Sequence, residues 1–315
     1  MAILKVPLLI TLLAFTGFSQ AQEPKKQGET IIGTKVSLKP PEGFTPSPQF
    51  PGYWLESLSS SIMVTEFPNP FAEASAGFSN SSELMKRGVS LLNAQEVKLN
   101  GQSGLLVKVK QNAFGTEYLK WLLIFGDEKE SVMIAATFPK ELDGDLSEKM
   151  KASILTATWD RKKDVSPTEG LNFRVDEKGE LKLAKRIANL LAFSKRGIFP
   201  SKDVDDPVFI VGQSVSKMEI GNPEGFAKAR ILQTAEIKDV EIEQSNKVTI
   251  DHLNGYEIVA KGKDKASARP MVVYQVMLFD GQSYFLMQGL ISDRNRQLNL
   301  ELFKEMARTF HRKKS

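Results

Sequence analysis

Short alternations of apolar and polar residues, separated by turn residues, run through the first half of the chain. This period of two is typical of half-buried β-strands. Asn100-Gly101 lies between two such runs and predicts a tight hairpin turn. The predicted strands are residues 61–67, 97–99, 105–110, 117–125 and 132–138.

Two segments of the same half have helical spacing instead. Asn80 is placed to cap a helix predicted over 81–92, and Glu83 completes a capping box. A second helix is predicted to close this half over 146–155. Its buried stripe is expected to consist of Leu146, Met150 and Ile154.

The second half repeats this order of elements with clearer turn signals. A strand is predicted over 208–211, and Asn222-Pro223 predicts the cap and first residue of a helix. Asp280-Gly281 predicts a hairpin between 271–279 and 283–290. The closing helix is expected to bury a stripe formed by Leu298, Leu302, Met306 and Phe310.

Two further segments of this half depend on turn positions. A strand over 248–252 is expected to lead into a turn at Asn254-Gly255. The stretch 181–193 is ambiguous, since its leucines fit a helix, whereas a hairpin over 173–183 across Lys178-Gly179 is the alternative. Both interpretations of this stretch stay open.

The two halves match each other in register. Leu99-Asn100-Gly101 corresponds to Leu253-Asn254-Gly255, and Phe125 corresponds to Phe279 at the same spacing. Trp159 corresponds to Phe310 at nearly that spacing, close to the end of each half. Solenoid repeats are far shorter than this, so the chain is predicted to contain a duplicated domain.

The beginning of the chain has the pattern of a cleavable export signal. It combines a positive start, an apolar run over 6–18 and the small residues Ser19 and Ala21. That run is shorter than the roughly 20 residues that a membrane anchor needs, so the mature protein is expected in the periplasm or outside the cell. The predicted organisation is a signal peptide over 1–21, a disordered segment over 22–30, a first domain over 31–159, a linker over 160–170 and a second domain over 171–312.

Strands paired by tight turns, with helices at set points, indicate an α+β fold of two tandem repeats, each an antiparallel sheet flanked by helices. This order of elements resembles the PsbP-like superfamily, which includes an extrinsic photosystem subunit and bacterial envelope proteins. The resemblance rests on Leu253-Asn254-Gly255-Tyr256, on the hairpin over 274–290 and on the ending over 303–310. It implies an α/β/α sandwich for each domain. It implies no site residue, because the family has no common catalytic residue.

Composition narrows the chemistry that the chain supports. The absence of cysteine excludes disulfides, thiolate metal sites and cysteine nucleophiles. The net charge of +4 is too evenly distributed to favour nucleic-acid binding. His252 and His311 lie at unrelated places in the repeat, so they predict neither a zinc site nor a His-activated serine. The sequence therefore assigns no catalytic residue, no cofactor and no metal ligand.

One cluster of aspartates is a candidate for binding a metal ion. Asp203, Asp205 and Asp206 fall in a predicted loop. A helix-loop-helix calcium site would need a glycine and a glutamate where Val208 and Ser214 stand. An irregular calcium site stays open, since Ca²⁺ accepts varied oxygen ligands.

The candidate interaction residues are Phe50, Tyr53 and Trp54, which lie in the proline-rich stretch 46–54. Exposed aromatic side chains are common interface anchors. The alternative is that Tyr53 and Trp54 begin a strand and fill the core, to which Trp121 and Trp159 are also assigned.

Two functions of different classes follow. The preferred one is a non-catalytic exported protein that binds a protein partner or a hydrophobic ligand, with no nucleic acid and no integral membrane segment after signal cleavage. Its support is the duplication, the resemblance and the lack of catalytic groups. The alternative is an exported hydrolase that uses a carboxylate pair.

Overall fold

The computed structural model describes residues 28–78, 81–86, 88–113, 115–198, 203, 205–215 and 217–313, except for the side chains of Glu83, Lys86 and Asn295. It contains two seven-stranded antiparallel sheets that follow one another along the chain. The second sheet repeats the strand order of the first. The predicted α+β class of two tandem sheet-based domains is confirmed.

The first domain is built around a sheet with the order β3-β4-β5-β9-β8-β7-β6, beside a small sheet with the order β1-β2-β10. Its strands are β1 (Glu29–Thr30), β2 (Val36–Leu38), β3 (Thr45–Pro46), β4 (Gly52–Leu55), β5 (Ser60–Phe67), β6 (Val89–Leu99), β7 (Gln102–Ala113), β8 (Thr116–Gly126), β9 (Ser131–Pro139) and β10 (Thr158–Trp159). Its helices are α1 (Phe71–Ala76), α2 (Ser81–Lys86) and α3 (Asp143–Ile154).

The second domain has the sheet order β12-β13-β14-β18-β17-β16-β15, beside the strand pair β11-β19. Its strands are β11 (Phe173–Arg174), β12 (Leu181–Ile187), β13 (Leu190–Lys195), β14 (Val208–Gln213), β15 (Ile237–Ile250), β16 (Leu253–Asp264), β17 (Pro270–Asp280), β18 (Ser283–Ser292) and β19 (His311–Arg312). Its helices are α4 (Pro223–Leu232) and α5 (Arg296–Arg308).

Each sheet carries helices on both faces. In the first domain, α3 buries its predicted stripe in a core that includes Trp121 and Phe125, which the sheet contributes. On the opposite face, Phe71 of α1 packs against a smaller cluster from β7 and β8. In the second domain, α5 covers one face with Phe303. On the other face, α4 packs Ile231 into a cluster formed with β16 and β17.

Three of the predicted turn and cap signals are confirmed. Asn100 and Gly101 connect β6 to β7 with positive φ angles of 48° and 85°. Gly281, with φ 60°, lies in the turn between β17 and β18. The side chain of Asn222 caps α4, because its Oδ1 accepts a hydrogen bond from the backbone N–H of Gly225 at 2.9 Å.

The helix predicted over 81–92 is wrong beyond its first half. α2 ends at Lys86, and β6 begins at Val89. Leu91 pairs with Val109 in a ladder to β7, so long-range strand pairing outweighs the local helical spacing. Asn80 lies outside the described residues, as does the side chain of Glu83, and the predicted capping box stays a prediction.

The turn predicted at Asn254-Gly255 is also wrong. The chain turns at Asp251-His252, with φ angles of 47° and 62°, and both Asn254 and Gly255 lie inside β16. A Cβ on Gly255 would overlap the carbonyl oxygen of Met277, so this glycine permits close strand approach instead of a turn. The Leu-Asn-Gly match between the halves therefore does not join structurally equivalent residues.

Residues 181–193 form neither the helix nor the hairpin across Lys178-Gly179. They form the hairpin β12–β13, with Ala188 and Asn189 in the turn and a φ of 51° at Ala188. Lys178 makes only an isolated bridge to Leu181. The alternation that places leucines in the core has the period of a strand.

The stripe predicted for the closing helix α5 is wrong at Leu298, which is 75% exposed. Met306 and Phe310 are buried as predicted, and Leu302 is partly buried. A strict spacing of four residues rotates around a helix with 3.6 residues per turn. The buried face is instead formed by Asn299, Phe303, Met306 and Ala307.

The predicted signal peptide over 1–21 lies outside the described residues. The disorder predicted for 22–30 is wrong at its end, because Glu29 and Thr30 pair with Leu38 and Ser37. Residues 160–170 connect β10 to β11, and the boundaries 31–159 and 171–312 stay predictions. Among the described residues, no helix is long and apolar enough to cross a bilayer.

The last strand, β19, forms hydrogen bonds and ion pairs with two hairpin turns of the second domain. Oδ2 of Asp251 accepts hydrogen bonds from the backbone N–H of Arg312 at 2.9 Å and from its guanidinium at 3.2 Å. The same guanidinium lies 3.3 Å from Asp280 in the neighbouring turn. The backbone N–H of Arg312, followed by the side chains of His311 and Arg312, lowers the pKa of Asp251 to about 2.

Candidate binding groove between the domains

A groove opens on the face of the first sheet that carries α1. Its floor follows from strand register, because residues directly opposite one another in an antiparallel ladder share a face. Trp54 is opposite Ser61, Ser61 is opposite Thr137, and Thr137 is opposite Lys120. These four side chains form one row across β4, β5, β9 and β8, which we call the floor row.

Apolar side chains flank the floor row. Met63 and Ala135 face each other one step along the sheet on one side. Tyr118 lines the other side, and the buried Phe50 stands beside Trp54. The groove encloses about 510 Å³, which lies within the roughly 300–1,000 Å³ of small-molecule sites.

The opposite wall of the groove comes from the second domain. Val215, Lys217 and Gln282 line it. This wall segment is held to β18, because the backbone N–H of Ser214 donates to the carbonyl of Tyr284 at 2.8 Å. Likewise, the backbone N–H of Met218 donates to the carbonyl of Gln282 at 2.7 Å.

Lys217 crosses the gap between the domains. Its ammonium lies 2.7 Å from Oε1 of Glu56 and 5.1 Å from the centre of the Trp54 ring. The first contact is an ion pair, and the second is a cation–π contact. The groove is therefore closed on one side by side chains of both domains.

Lys120 lies at the end of the floor row on β8. Its side chain is half-buried, and its ammonium donates a hydrogen bond to Oε1 of Gln111 at 2.7 Å. Burial lowers the pKa of Lys120, because desolvation disfavours the charged form of an amine. The neighbouring acceptor, an amide, carries no charge that would offset this cost.

The second domain has a valine at the position of Lys120. Lys120 pairs with Val109 and Thr137, and its counterpart Val273 pairs with Ala260 and Leu290 in the same two ladders. Val273 is fully buried in the cluster under α4. The corresponding position of the first domain thus lines a groove instead of a core.

The structure separates the three candidate interaction residues. Trp54 and Phe50 line the groove, whereas Tyr53 points to the opposite face and is buried in the core. The hydroxyl of Tyr53 donates to Oε2 of Glu29 at 3.4 Å. Burial and, after it, the nearby Glu29 carboxylate raise the pKa of Tyr53 to about 12.

Gly52 sets the direction of both aromatic side chains that follow it on β4. It has a φ of 144°, and a Cβ there would overlap the carbonyl oxygen of Ile62. Only glycine accommodates this conformation and this close approach to β5. The strand therefore enters the sheet with Tyr53 on the core face and Trp54 on the groove face.

A second crevice between the domains, of about 370 Å³, contains two carboxylates. The indole N–H of Trp159 donates to Oε1 of Glu66 at 3.0 Å, and the backbone N–H of Lys35 donates to Oε2 at 3.3 Å. The carboxylate of Glu130 lies 3.6 Å from the Lys35 ammonium. Both carboxylates therefore have partners within the protein.

The aspartate cluster is not part of the groove lining, and two of its members pair with cationic side chains of the protein. Asp205 pairs with Arg294 at 3.1 Å, and Asp206 pairs with Lys195 at 3.4 Å. Oδ1 of Asp203 accepts a hydrogen bond from the backbone N–H of Asp205. In the part of the chain that the structure describes, no group of three or more His, Asp or Glu residues is arranged to hold a metal ion.

The sequence interpretation missed Lys120 because it occupies a polar position of an alternating strand. A signal was nevertheless present in the repeat. β17, with Met271, Val272 and Val273 near its start, is apolar on both faces, whereas β8 interrupts the same run with Lys120. A charge in one copy where the other copy is apolar indicates a different environment.

No model of a known protein family matches the chain, and no curated protein matches its sequence. Similar solved structures include the T6SS immunity protein TplEi from Pseudomonas aeruginosa, at 12% identity and a TM-score of 0.32, over 90% of this chain and 97% of that one. Cyanobacterial PsbP from Synechocystis matches at 9% identity and a TM-score of 0.30, over 44% of this chain and 99% of that one. A Pseudomonas aeruginosa protein of unknown function matches at 13% identity and a TM-score of 0.32, over 46% and 99%. At such low sequence identities and TM-scores, these likenesses carry no argument about function.

Proposed function

We propose that the protein is a non-catalytic exported binding protein that holds an apolar ligand in the groove between its two domains. The observation that carries this proposal is the floor row, which lies open beside Met63 and Tyr118, whereas Val273, the counterpart of Lys120 in the second domain, is packed under α4. Leaving the apolar parts of Trp54, Met63 and Tyr118 uncovered forgoes burial worth roughly 25 cal/mol per Å² of apolar area. A bound apolar ligand restores that burial.

Of the two occupants that the sequence leaves open, the groove favours a ligand over a protein partner. It is concave and encloses about 510 Å³, the size of a small-molecule site. A stable protein interface buries about 800 Å² on each partner. The aromatic anchors Trp54 and Phe50 line the groove instead of a broad flat surface.

The alternative function, hydrolysis by a carboxylate pair, has weaker support. Glycoside hydrolysis needs two carboxylates that face a common substrate. Glu56 is the carboxylate among the described residues that line the groove, and it is paired with Lys217. In the second crevice, Glu66 is held by hydrogen bonds from Trp159 and Lys35.

Export follows from the signal peptide that the sequence predicts. Cleavage after Ala21 would leave a mature chain that begins at Gln22. N-terminal sequencing of the protein recovered from the envelope or medium tests this part of the proposal. A chain that retains Met1 in the cytoplasm would contradict export.

The binding proposal is tested with the neutral apolar dye Nile red. We expect saturable fluorescence enhancement with the mature protein, and Trp54→Ala is expected to weaken binding about tenfold, because it removes the largest apolar side chain of the groove. Leu298→Ala, which removes an exposed leucine from α5, is the matched control. Equal affinities of the two variants, or a lack of saturable binding, would overturn the proposal.

A further inference from the structure

We propose that the natural ligand of the groove is an amphiphilic carboxylic acid whose carboxylate is bound by Lys120. This inference rests on the proposed function and adds the chemical class of the ligand. It follows from the charges that line the groove, from the burial of Lys120 and from the side chains that surround its ammonium.

The described residues that line the groove leave one positive charge without a charged partner. Among its described lining residues, the charged side chains are Lys120, Lys217 and Glu56. Lys217 and Glu56 neutralise one another at 2.7 Å. The ammonium of Lys120 donates to the neutral amide oxygen of Gln111. The site therefore complements a ligand with a single negative charge.

Burial of the Lys120 ammonium is energetically unfavourable unless an anionic group binds to it. Removal of an ammonium from water is unfavourable, and a carboxylate within hydrogen-bond distance offsets that cost. The fold does not require a charge at this position, because the second domain has the fully buried Val273 there. Lys120 thus has a role that the packing of the sheet does not explain.

The surroundings of Lys120 favour a carboxylate over a phosphate. Thr137 stands directly opposite Lys120 in the ladder, and its side chain, which carries a hydroxyl, lines the same groove. One ammonium and one hydroxyl match the two oxygens of a carboxylate, whereas a phosphate with more charge calls for additional cations. Met63, Ala135 and Trp54 then provide an apolar surface for the rest of the ligand.

Displacement of Nile red by decanoic acid and by 1-decanol tests the inference on the mature full-length protein. We expect Lys120→Met to weaken decanoate binding about tenfold or more, and to change decanol binding by less than about threefold. Lys129→Met removes the same charge from the exposed β8–β9 turn and serves as the control. Lys120→Arg, which keeps the charge, is expected to retain the preference for the acid.

The outcomes separate the two proposals. If decanoate and decanol both displace the dye and Lys120→Met weakens neither, the carboxylate inference is overturned while the binding function stands. If the dye binds and neither compound displaces it from the wild-type protein, the inference is overturned as well. If the dye itself does not bind, both proposals fail. Loss of decanoate binding alone in Lys120→Met supports the inference.

Discussion

The ammonium of Lys217 lies 5.1 Å from the centre of the Trp54 ring, although the two residues belong to different domains. The same ammonium pairs with Glu56 of the first domain. Both charged side chains are about half exposed, so each contact contributes less than about 1 kcal/mol. The contacts therefore place the Lys217 side chain against Trp54 and Glu56 but add little to the stability of the fold.

Lys217→Met is expected to lower the free energy of unfolding by about 0.5–1 kcal/mol, because it removes both the ion pair and the cation–π contact. Urea denaturation measures this effect. Lys261→Met, which removes only the exposed ion pair with Glu241, is expected to cost less than about 0.5 kcal/mol. A larger loss in the control than in Lys217→Met would contradict the inter-domain contact.

Lys120 and Val273 provide a reciprocal pair of substitutions. Lys120→Met is expected to raise the free energy of unfolding by about 1 kcal/mol, since it removes a desolvated ammonium. Val273→Lys is expected to lower it by about 3–5 kcal/mol, because it buries an unpaired charge under α4. Thermal unfolding followed by circular dichroism checks both. If Val273→Lys were as stable as the wild type, the environments assigned to the two positions would be wrong.

Gly52 is expected to be intolerant of any side chain. Gly52→Ala combines a positive φ with an overlap on the backbone of β5, so we expect a loss of more than about 3 kcal/mol. Gly101→Ala also has a positive φ but meets open space, and a loss of about 1 kcal/mol is expected. Chemical denaturation of the two variants compares them, and equal losses would contradict the close approach at Gly52.

Asp251 gives a pH dependence of defined sign. Its pKa is lowered from 3.8 to about 2 in the folded protein. A carboxyl group with a lowered pKa stabilises the fold above its unfolded pKa and loses this contribution as the pH falls through the folded value. We expect Asp251→Asn to cost about 1–2 kcal/mol near neutral pH, with the difference shrinking between about pH 4 and pH 2.

Urea denaturation at a series of pH values measures the contribution of Asp251. Asp239→Asn, which removes an exposed partner of Lys263 at 3.4 Å, is the control and is expected to cost less than about 0.5 kcal/mol at every pH. A cost for Asp251→Asn that grows on acidification would contradict the predicted sign.

Local rules predicted the parts of the fold that local chemistry decides. Asn100-Gly101 and Asn222-Pro223 behave as expected, because a positive φ and a helix cap depend on a few adjacent residues. Residues 89–92 and the turn at Asp251-His252 depend on the register of strand pairing instead. The register of a strand with a partner outside the segment cannot be recognised from the spacing of that segment alone.

The candidate site was predicted only in part. Phe50 and Trp54 were selected as aromatic residues near prolines, and they line the groove. Tyr53 was selected with them, but strand alternation turns it to the core face. The sequence pattern does not indicate Lys120 or Lys217 as site residues. They share a groove with Trp54 only because four adjacent strands and a segment of the other domain come together.

Because the second domain supplies one wall, the width of the groove depends on the angle between the domains. Ligand size and inter-domain angle are then thermodynamically linked, and the linkage is reciprocal. A ligand that draws the segment around Lys217 towards Trp54 would favour one angle, and any contact that imposes that angle would raise the affinity for such a ligand by the same factor. The first copy of the fold would then hold the ligand, and the orientation of the second copy would change with ligand occupancy.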